Sequence, residues 1–394
     1  MSIGFDAILF FAGLDHGIIE NMPRSAFLYS DHYLDYHLSD QHPLQQRRIV
    51  MLDRLLAAYG VFERGEVDRV APTPASGADI GMCHSEDFIR AVQAASAGER
   101  VPDLYRFGLG AGDTPAFPGI WEASLLYAGA SLDCAKRVLS GENKTAFNPS
   151  GGLHHAFRSR AAGFCTFNDC AIAAYPFLNA GKKVAYLDIV DAHHGDGVQA
   201  LFYSDPRVLT ISFHETGRTL FPGTGFPEEI GEGKGRGYSI NVPLAPYSTD
   251  EHYQAAYHEV AAPALAEFDP DYIILQVGAD AHWDDPLAHL ALTSYGWLSL
   301  MEKVIALGKP LIALGGGGYN QKTVARLWTL LQASLAGVEL EDETPHAYAS
   351  EWGITHLHDE GKPEISEADR EQAWHYLTAG IEKLRQLGVV GLSA

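Results

Sequence analysis

The sequence predicts an α/β fold built on a mostly parallel sheet, and three observations carry that expectation. Short β-rich runs alternate with helical segments along the chain. The apolar stretches within those runs are near-continuous, as strands buried on both faces require, where a half-exposed strand would alternate. Each run leads directly into unusual chemistry, and ligands of such sheets bind outside the carboxyl ends of the strands.

The runs are "KTAFN" (144–148), "KKVAYLDI" (182–189), "RVLTISF" (207–213), "DYIILQV" (271–277) and "KPLIALG" (309–315). Between and beyond them lie helical segments. One is "EASLLYAGASLDCAKRVLSG" (122–141), which Gly141 should stop. Another is "SEADREQAWHYLTAGIEKLRQLG" (366–388), with Ser366 as N-cap, Asp369 three residues on and Gly388 at its end. No Ser/Gly/Pro-rich linker, repeat or low-complexity tract divides the 394 residues, and 46% hydrophobic content supports one large core. A single domain over 1–394 is therefore expected.

A net charge of −22 argues against a nucleic-acid-binding surface, which needs clustered Lys and Arg. Solubility is the simple account of that charge; attraction of cationic partners, such as Lys-bearing peptides or polyamines, is the sharper one. Cys83, Cys134, Cys165 and Cys170 form no C-x-x-C pair, so free thiols in a reducing compartment are expected. The N-terminal "ILFFAGL" is short and lacks a preceding basic residue, which makes a poor signal peptide. Nothing approaches the ~20 apolar residues of a membrane span. Cytoplasmic localisation, without membrane or nucleic-acid partners, is the expectation.

"PSGGLHHAF", "VDAHHGDG", "GADAHWDDP" and "GGGYN" follow four of the runs. Alone, a histidine pair is commonly a satisfied polar turn, Asp280 a helix cap and a glycine run only a turn. Four such segments at four strand ends make coincidence a poor account. Asp191, His193 and Asp280 form a mixed N/O donor set suited to Zn²⁺, Fe²⁺ or Co²⁺. Three protein ligands leave positions open for water and a substrate oxygen, the layout of a catalytic site. His154 and His155 are then candidate general base and acid, with Asp188 and Asp196 as partners that fix their tautomers. Tyr319, on its glycine turn, is placed to donate to a developing oxyanion.

"SGGLHHA", "GFCTFND", "DAHHGDG", "FPGTG", "GAD" and "LGGGGYN" together resemble the zinc-dependent histone deacetylases in order and spacing. The resemblance covers roughly residues 26–335, leaves 1–25 as an N-terminal extension and 336–394 as a C-terminal helical region, and looks close to the bacterial acetoin-utilisation-type enzymes, relatives of class I. It implies an arginase–deacetylase fold with a central eight-stranded parallel sheet flanked by helices. It also implies one Zn²⁺ on Asp191, His193 and Asp280, and a structural K⁺ near Asp188 and Ser212. His154 and His155 match the tandem histidines, paired with Asp188 and Asp196 respectively, and Tyr319 matches the carbonyl-polarising tyrosine. Gly163, Phe164, Phe221 and Leu287 resemble the walls of an acyl-lysine tunnel, where aromatic faces suit a narrow tube of methylenes. Asp113 resembles the rim carboxylate that receives the substrate backbone, although its loop, "GAGDTP", is one residue longer than usual. The implied substrate is acetyl-lysine in a protein or peptide, or a small acyl-amine such as an acetylpolyamine; the "GGGGYN" turn favours the class I-like branch.

Two rivals are weaker. A two-metal ureohydrolase would want D-x-H-x-D and D-x-D, but Gly195 stands at the last position of the first pattern and His282 at the last of the second. A non-catalytic acyl-lysine reader predicts decay of the ligands or of the tyrosine, and all are present. His282, Trp283 and the first 25 or so residues are candidates for shaping the entrance. One departure stands out. The family spacing D-x-D-x-H reads here Asp188-Ile189-Val190-Asp191-Ala192-His193, one residue longer. A regular strand would send the two carboxylates to opposite faces. A bulge at Ile189–Val190 would restore the phase, leaving Asp188 on His154 and Asp191 in the ligand set.

Overall fold

A computed structural model describes residues 24–110 and 112–392. Its strands are β1 (Ser25–Leu28), β2 (Val67–Val70), β3 (Thr145–Asn148), β4 (Val184–Asp188), β5 (Val208–Glu215), β6 (Ser239–Leu244), β7 (Tyr272–Gln276) and β8 (Leu311–Leu314). They form one sheet in the order β2-β1-β3-β8-β7-β4-β5-β6, and every pairing is parallel. The five strands read from apolar runs are all present, with ends within about two residues of expectation. β1, β2 and β6 are additions. β1 is only four residues long, β2 reads "VDRV" with half its residues charged, and β6 carries Pro243. β2 and β6 are the sheet's edges, where one neighbour suffices and a proline is tolerated.

The helices cover the sheet. Ile120–Ser140 stops at Gly141, whose φ of 78° suits a left-handed cap. Glu367–Leu387 starts where Ser366 accepts from the Asp369 N–H and stops at left-handed Gly388. Core packing reaches the site side through two fully buried tryptophans. A buried indole N–H needs an acceptor, and both find one at the end of β7. Trp328 Nε1 donates to the Val277 carbonyl at 2.7 Å, and Trp297 Nε1 to the Gly278 carbonyl at 2.9 Å. They fix the backbone that leads into Asp280.

The expected core boundary at 26 falls one residue inside β1, whereas residues 1–23, with the "ILFFAGL" run, lie outside the described residues. The C-terminal region is helical over His346–Trp352 and Glu367–Leu387. Between them runs a non-helical segment whose His356 bridges to Glu343. Among the described residues, no helix is long and apolar enough to cross a membrane.

Candidate active site

The four loops singled out in the sequence leave β3, β4, β7 and β8, and these strands are consecutive neighbours in the sheet (β3-β8-β7-β4). The topology therefore delivers all four loops to one place, at the carboxyl edge where a parallel sheet binds its ligands.

Asp191, His193 and Asp280 meet there with their ligand atoms within 4.8 Å of one another, all buried. His193 Nδ1 lies 2.9 Å from Asp280 Oδ2 and 3.3 Å from Asp191 Oδ1. Asp191 Oδ2 accepts from Gln276 Nε2 at 2.6 Å and from the Gly317 N–H at 3.0 Å; Asp280 Oδ1 accepts from the Ala192 N–H at 2.7 Å. Gly317 has to be glycine, because a Cβ there would stand 2.0 Å from Asp280 Oδ2. Burial opposes charge on all three groups. The neighbouring carboxylates nevertheless hold the His193 imidazole well above its ordinary value, while Asp191 is driven well below its own by the facing histidines. Asp280 is raised, first by burial and then by Asp191. No lysine or arginine among the described residues forms an ion pair with either carboxylate.

The extra residue before Asp191 is absorbed without loss of either contact. Asp188 Oδ2 receives His154 Nδ1–H at 2.8 Å and the Tyr186 hydroxyl at 3.1 Å, while Asp191 faces His193. The route differs from a bulge inside the ladder. β4 pairs with both neighbours as far as Asp188 and then ends, so Ile189 and Val190, both fully buried, turn the chain beyond the sheet. Once the ladder is left, its two-residue alternation no longer applies.

The tandem histidines sit beside this cluster with Nε2 atoms 3.0 Å apart. Each gives its Nδ1–H to a carboxylate, His154 to Asp188 and His155 to Asp196 at 2.7 Å. Their environments push them in opposite directions. Burial lowers both, but the charges of Asp188 and Asp191 lift His154 to about 9. Burial and the neighbouring His154 together drop His155 to about 4. A protonated imidazole thus lies against a neutral one. Asp188 rises to about 6, chiefly by burial.

Tyr319 packs its ring edge-on to Phe164 at 5.8 Å and to His193 at 6.4 Å. Burial, then Asp280 and Asp191, holds its hydroxyl well above the ordinary range, so it remains a donor. Phe221 lies edge-on to His155 at 5.0 Å and is 45% exposed. Phe164 has φ of 70°, a costly conformation for a bulky residue. Two hydrogen bonds hold it: its N–H donates to Thr114 Oγ1 at 3.0 Å, and its carbonyl accepts the Tyr36 hydroxyl at 2.7 Å. Gly163 donates its N–H to Asp113 Oδ2 at 3.1 Å, so one oxygen of that carboxylate is already engaged. A cavity of about 20 Å³ remains, lined by Leu153, His155, Phe164, Cys165, His193 and Tyr319 among others. It has room for a water-sized group. Leu287 does not line this cavity; it is partly exposed and tethered through its N–H to Asp285 Oδ1.

Sequence reasoning passed over three residues that hold the site in place. Gln276 bonds Asp191, and its position as the one polar residue in the apolar run "YIILQV" was the available signal. Asp285 Oδ2 accepts the Tyr319 N–H at 2.8 Å. Asn168 Nδ2 donates to the carbonyls of His154 and Ala156 at 2.9 and 3.0 Å. His282 faces away from the ligand cluster, with both ring nitrogens held by Asp284 and Asp359. It offers nothing to a second metal, which removes the ureohydrolase alternative.

Residues 42–335 match the histone deacetylase domain. The chain is 41% identical over 343 residues to the acetoin utilization protein AcuC of Bacillus subtilis, covering 84% of this chain and 87% of that protein. It is 36% identical over 326 residues to the histone deacetylase clr6 of Schizosaccharomyces pombe, covering 82% and 79% respectively. The crystal structure of an HDAC homologue complexed with SAHA superposes with a TM-score of 0.82 at 30% identity, over 91% of this chain and all of that one. This chain, with the arginase–deacetylase architecture, belongs to the histone deacetylase family.

Proposed function

We propose that this enzyme is a one-metal amide hydrolase that removes acetyl groups from lysine side chains of proteins or peptides. The observation that carries this is the convergence of Asp191, His193 and Asp280 within 4.8 Å beside the tandem histidines, each held by its own carboxylate at 2.8 and 2.7 Å. Two buried carboxylates with no lysine or arginine ion-pair partner among the described residues, one imidazole and a glycine cradle suit a divalent cation of the Zn²⁺ class, with Fe²⁺ and Co²⁺ as chemically acceptable substitutes. Bound there, such a cation supplies Lewis acidity to the amide carbonyl and acidifies water.

The chain's own groups divide the remaining work. His155, its Nδ1–H committed to Asp196, serves as the general base for an attacking water through Nε2 once that nitrogen is released from the His154 Nε2–H it accepts at 3.0 Å. A protonated imidazole of the pair returns a proton to the departing amine, and Asp188 and Asp196 hold both rings in orientation. The Tyr319 hydroxyl donates to the oxyanion of the tetrahedral intermediate. Gly163, Phe164, Phe221 and Leu287 are assigned to the acyl-lysine path, and Asp113 to the substrate backbone at the rim.

A structural K⁺ also fits. Asp188 Oδ1 is buried and has no hydrogen-bond partner, and Ser212 lies beside Asp188 in register. His214 gives its Nε2–H to the Gly225 carbonyl at 2.9 Å, so its Nδ1 accepts the Ser212 hydroxyl at 2.8 Å, and the Ser212 oxygen keeps its lone pairs. The four unpaired, buried cysteines suit a reducing cytoplasm.

Zn²⁺-loaded protein tested on acyl-lysine peptides of increasing acyl length and on acetylpolyamines checks the assignment. Acetate release fastest from the acetyl-lysine peptide is expected, given a cavity of about 20 Å³. Turnover confined to acetylpolyamines would replace the substrate with the small cationic class that the net charge of −22 also attracts.

A further inference from the structure

Asp359 lies in the non-helical segment between His346–Trp352 and Glu367–Leu387, outside the residues that match the deacetylase domain. Its side chain is almost fully buried, and donors converge on both its oxygens. Oδ2 accepts from His282 Nε2 at 2.9 Å and from the Ser294 N–H at 2.8 Å; Oδ1 accepts both terminal nitrogens of Arg326 at 3.0 and 2.9 Å. The chain of contacts continues toward the reacting centre. His282 Nδ1 faces Asp284 Oδ1 at 2.8 Å, and Asp284 accepts Asn320 Nδ2 and the Thr323 hydroxyl, each at 3.0 Å. Asn320 is both the residue after Tyr319 and the N-cap of the helix Gln321–Ala336, whose Arg326 returns to Asp359. The circuit closes around the backbone that carries Tyr319.

We propose that Asp359, acting through His282 and Asp284, is a positioning residue for the Tyr319 hydroxyl, so that the C-terminal segment completes the oxyanion site from outside the deacetylase domain. This rests on the deacetylase reading above. The physical need is clear: a preorganised donor has to be held to within about 0.5 Å, and a shift of ~1 Å costs on the order of 10²-fold. Tyr319 follows four consecutive glycines, which supply no side chain to brace it. The glycine backbone is tied on its own side, by Gly317 N–H on Asp191 and by Arg48 Nη1 on the Gly318 carbonyl; Asp285 receives the Tyr319 N–H, and the C-terminal side is held through Asn320.

A double-mutant cycle with metal-loaded enzyme and an acetyl-lysine peptide tests this. Asp359→Asn keeps the shape but turns an amide toward one of the converging donor groups. It should lower kcat by ~10–100-fold, the range for outer-sphere support, with KM and bound metal unchanged. In the Tyr319→Phe background the same substitution should cost almost nothing more, because the donor it positions is gone. Losses that multiply in the double variant would overturn the proposal, since a merely structural role acts whether or not the hydroxyl is present. If Asp359→Asn does not fold, Asp284→Asn cuts the same circuit nearer Tyr319 and carries the same two outcomes. Wild-type enzyme inactive on every acyl substrate would instead remove the deacetylase reading, and this proposal with it.

Discussion

Two clusters whose nearest members, Asp280 and His282, are two residues apart each place one imidazole between two aspartates, and they balance charge differently. In the first, His193 lies between Asp191 and Asp280, with no lysine or arginine among the described residues in ion-pair contact. In the second, His282 lies between Asp284 and Asp359, and Arg326 adds a second positive group at 2.9 Å. Two carboxylates against a protonated imidazole and a guanidinium sum to zero, so the second cluster is electrically complete from the chain alone. The first is short of positive charge in a buried setting, where uncompensated carboxylates are expensive. That shortage, more than the identity of the ligands, is what marks a cation site. Residue type does not separate the two clusters, because both are Asp-His-Asp.

The contrast breaks most sharply under single truncations. Asp280→Ala should remove bound metal and cut turnover by ~10³-fold or more, the several kcal/mol that Lewis-acid catalysis supplies, whereas Asp284→Ala should retain metal at the wild-type level. Metal analysis of the two purified variants checks both halves. Tyr319→Phe comes next: loss of one oxyanion donor should lower kcat by ~10²-fold or more with metal retained, and near-normal rates would exclude this tyrosine as the polariser.

A third test concerns the histidine pair that borders the first cluster. In chelator-treated protein, ¹⁵N NMR should find His154 protonated until the pH approaches about 9, and His155 neutral until it falls to about 4. Two rings titrating together would contradict the assignment of acid and base.

The smallest effect is on stability, and it belongs to the second cluster. Burial pushes Asp359 up, but the His282 hydrogen bond and charge, the Ser294 N–H and Arg326 outweigh it and hold the carboxyl low. A depressed carboxyl contributes stability that is present above the unfolded value of ~4 and lost as pH falls through the folded one. His282 is raised, because Asp284 and Asp359 overcome its burial. Its contribution is full below ~6.5 and lost as pH rises through its folded value. The stability gap between wild type and Asp359→Asn should therefore be widest between about pH 4 and 6.5, and should narrow on acidification toward pH 3. Urea midpoints at pH 6 and pH 3 measure it; an unchanged gap would mean that the Asp359 charge is not what holds the segment.

What the sequence reveals of this molecule follows from how local each signal is. β3, β4, β5, β7 and β8 were readable because strands buried on both faces leave apolar runs. β2, at one edge and only partly buried, is freed from that requirement; β6 is buried throughout, but its sequence "SINVPL" alternates polar and apolar residues and carries a proline; and β1 is too short to distinguish itself. The first cluster was readable because its members follow strand ends in recognisable motifs. The second was not: His282 and Asp359 are 77 residues apart, and no periodicity links a loop histidine to a carboxylate in a distant non-helical segment. The extra residue before Asp191 lies between these cases. Its presence and the survival of both contacts could be inferred from phase, but the end of β4 at Asp188 was set by neighbouring strands that a one-dimensional pattern does not show.

The central claim is that this chain hydrolyses acyl-lysine with one divalent cation held by Asp191, His193 and Asp280. Stepwise addition of Zn²⁺ to metal-free enzyme, with acetate release from an acetyl-lysine peptide as the readout, tests it most directly. Activity should rise linearly and reach its plateau at one equivalent per chain. A plateau at two equivalents, or full acetate release without added metal, would contradict the account.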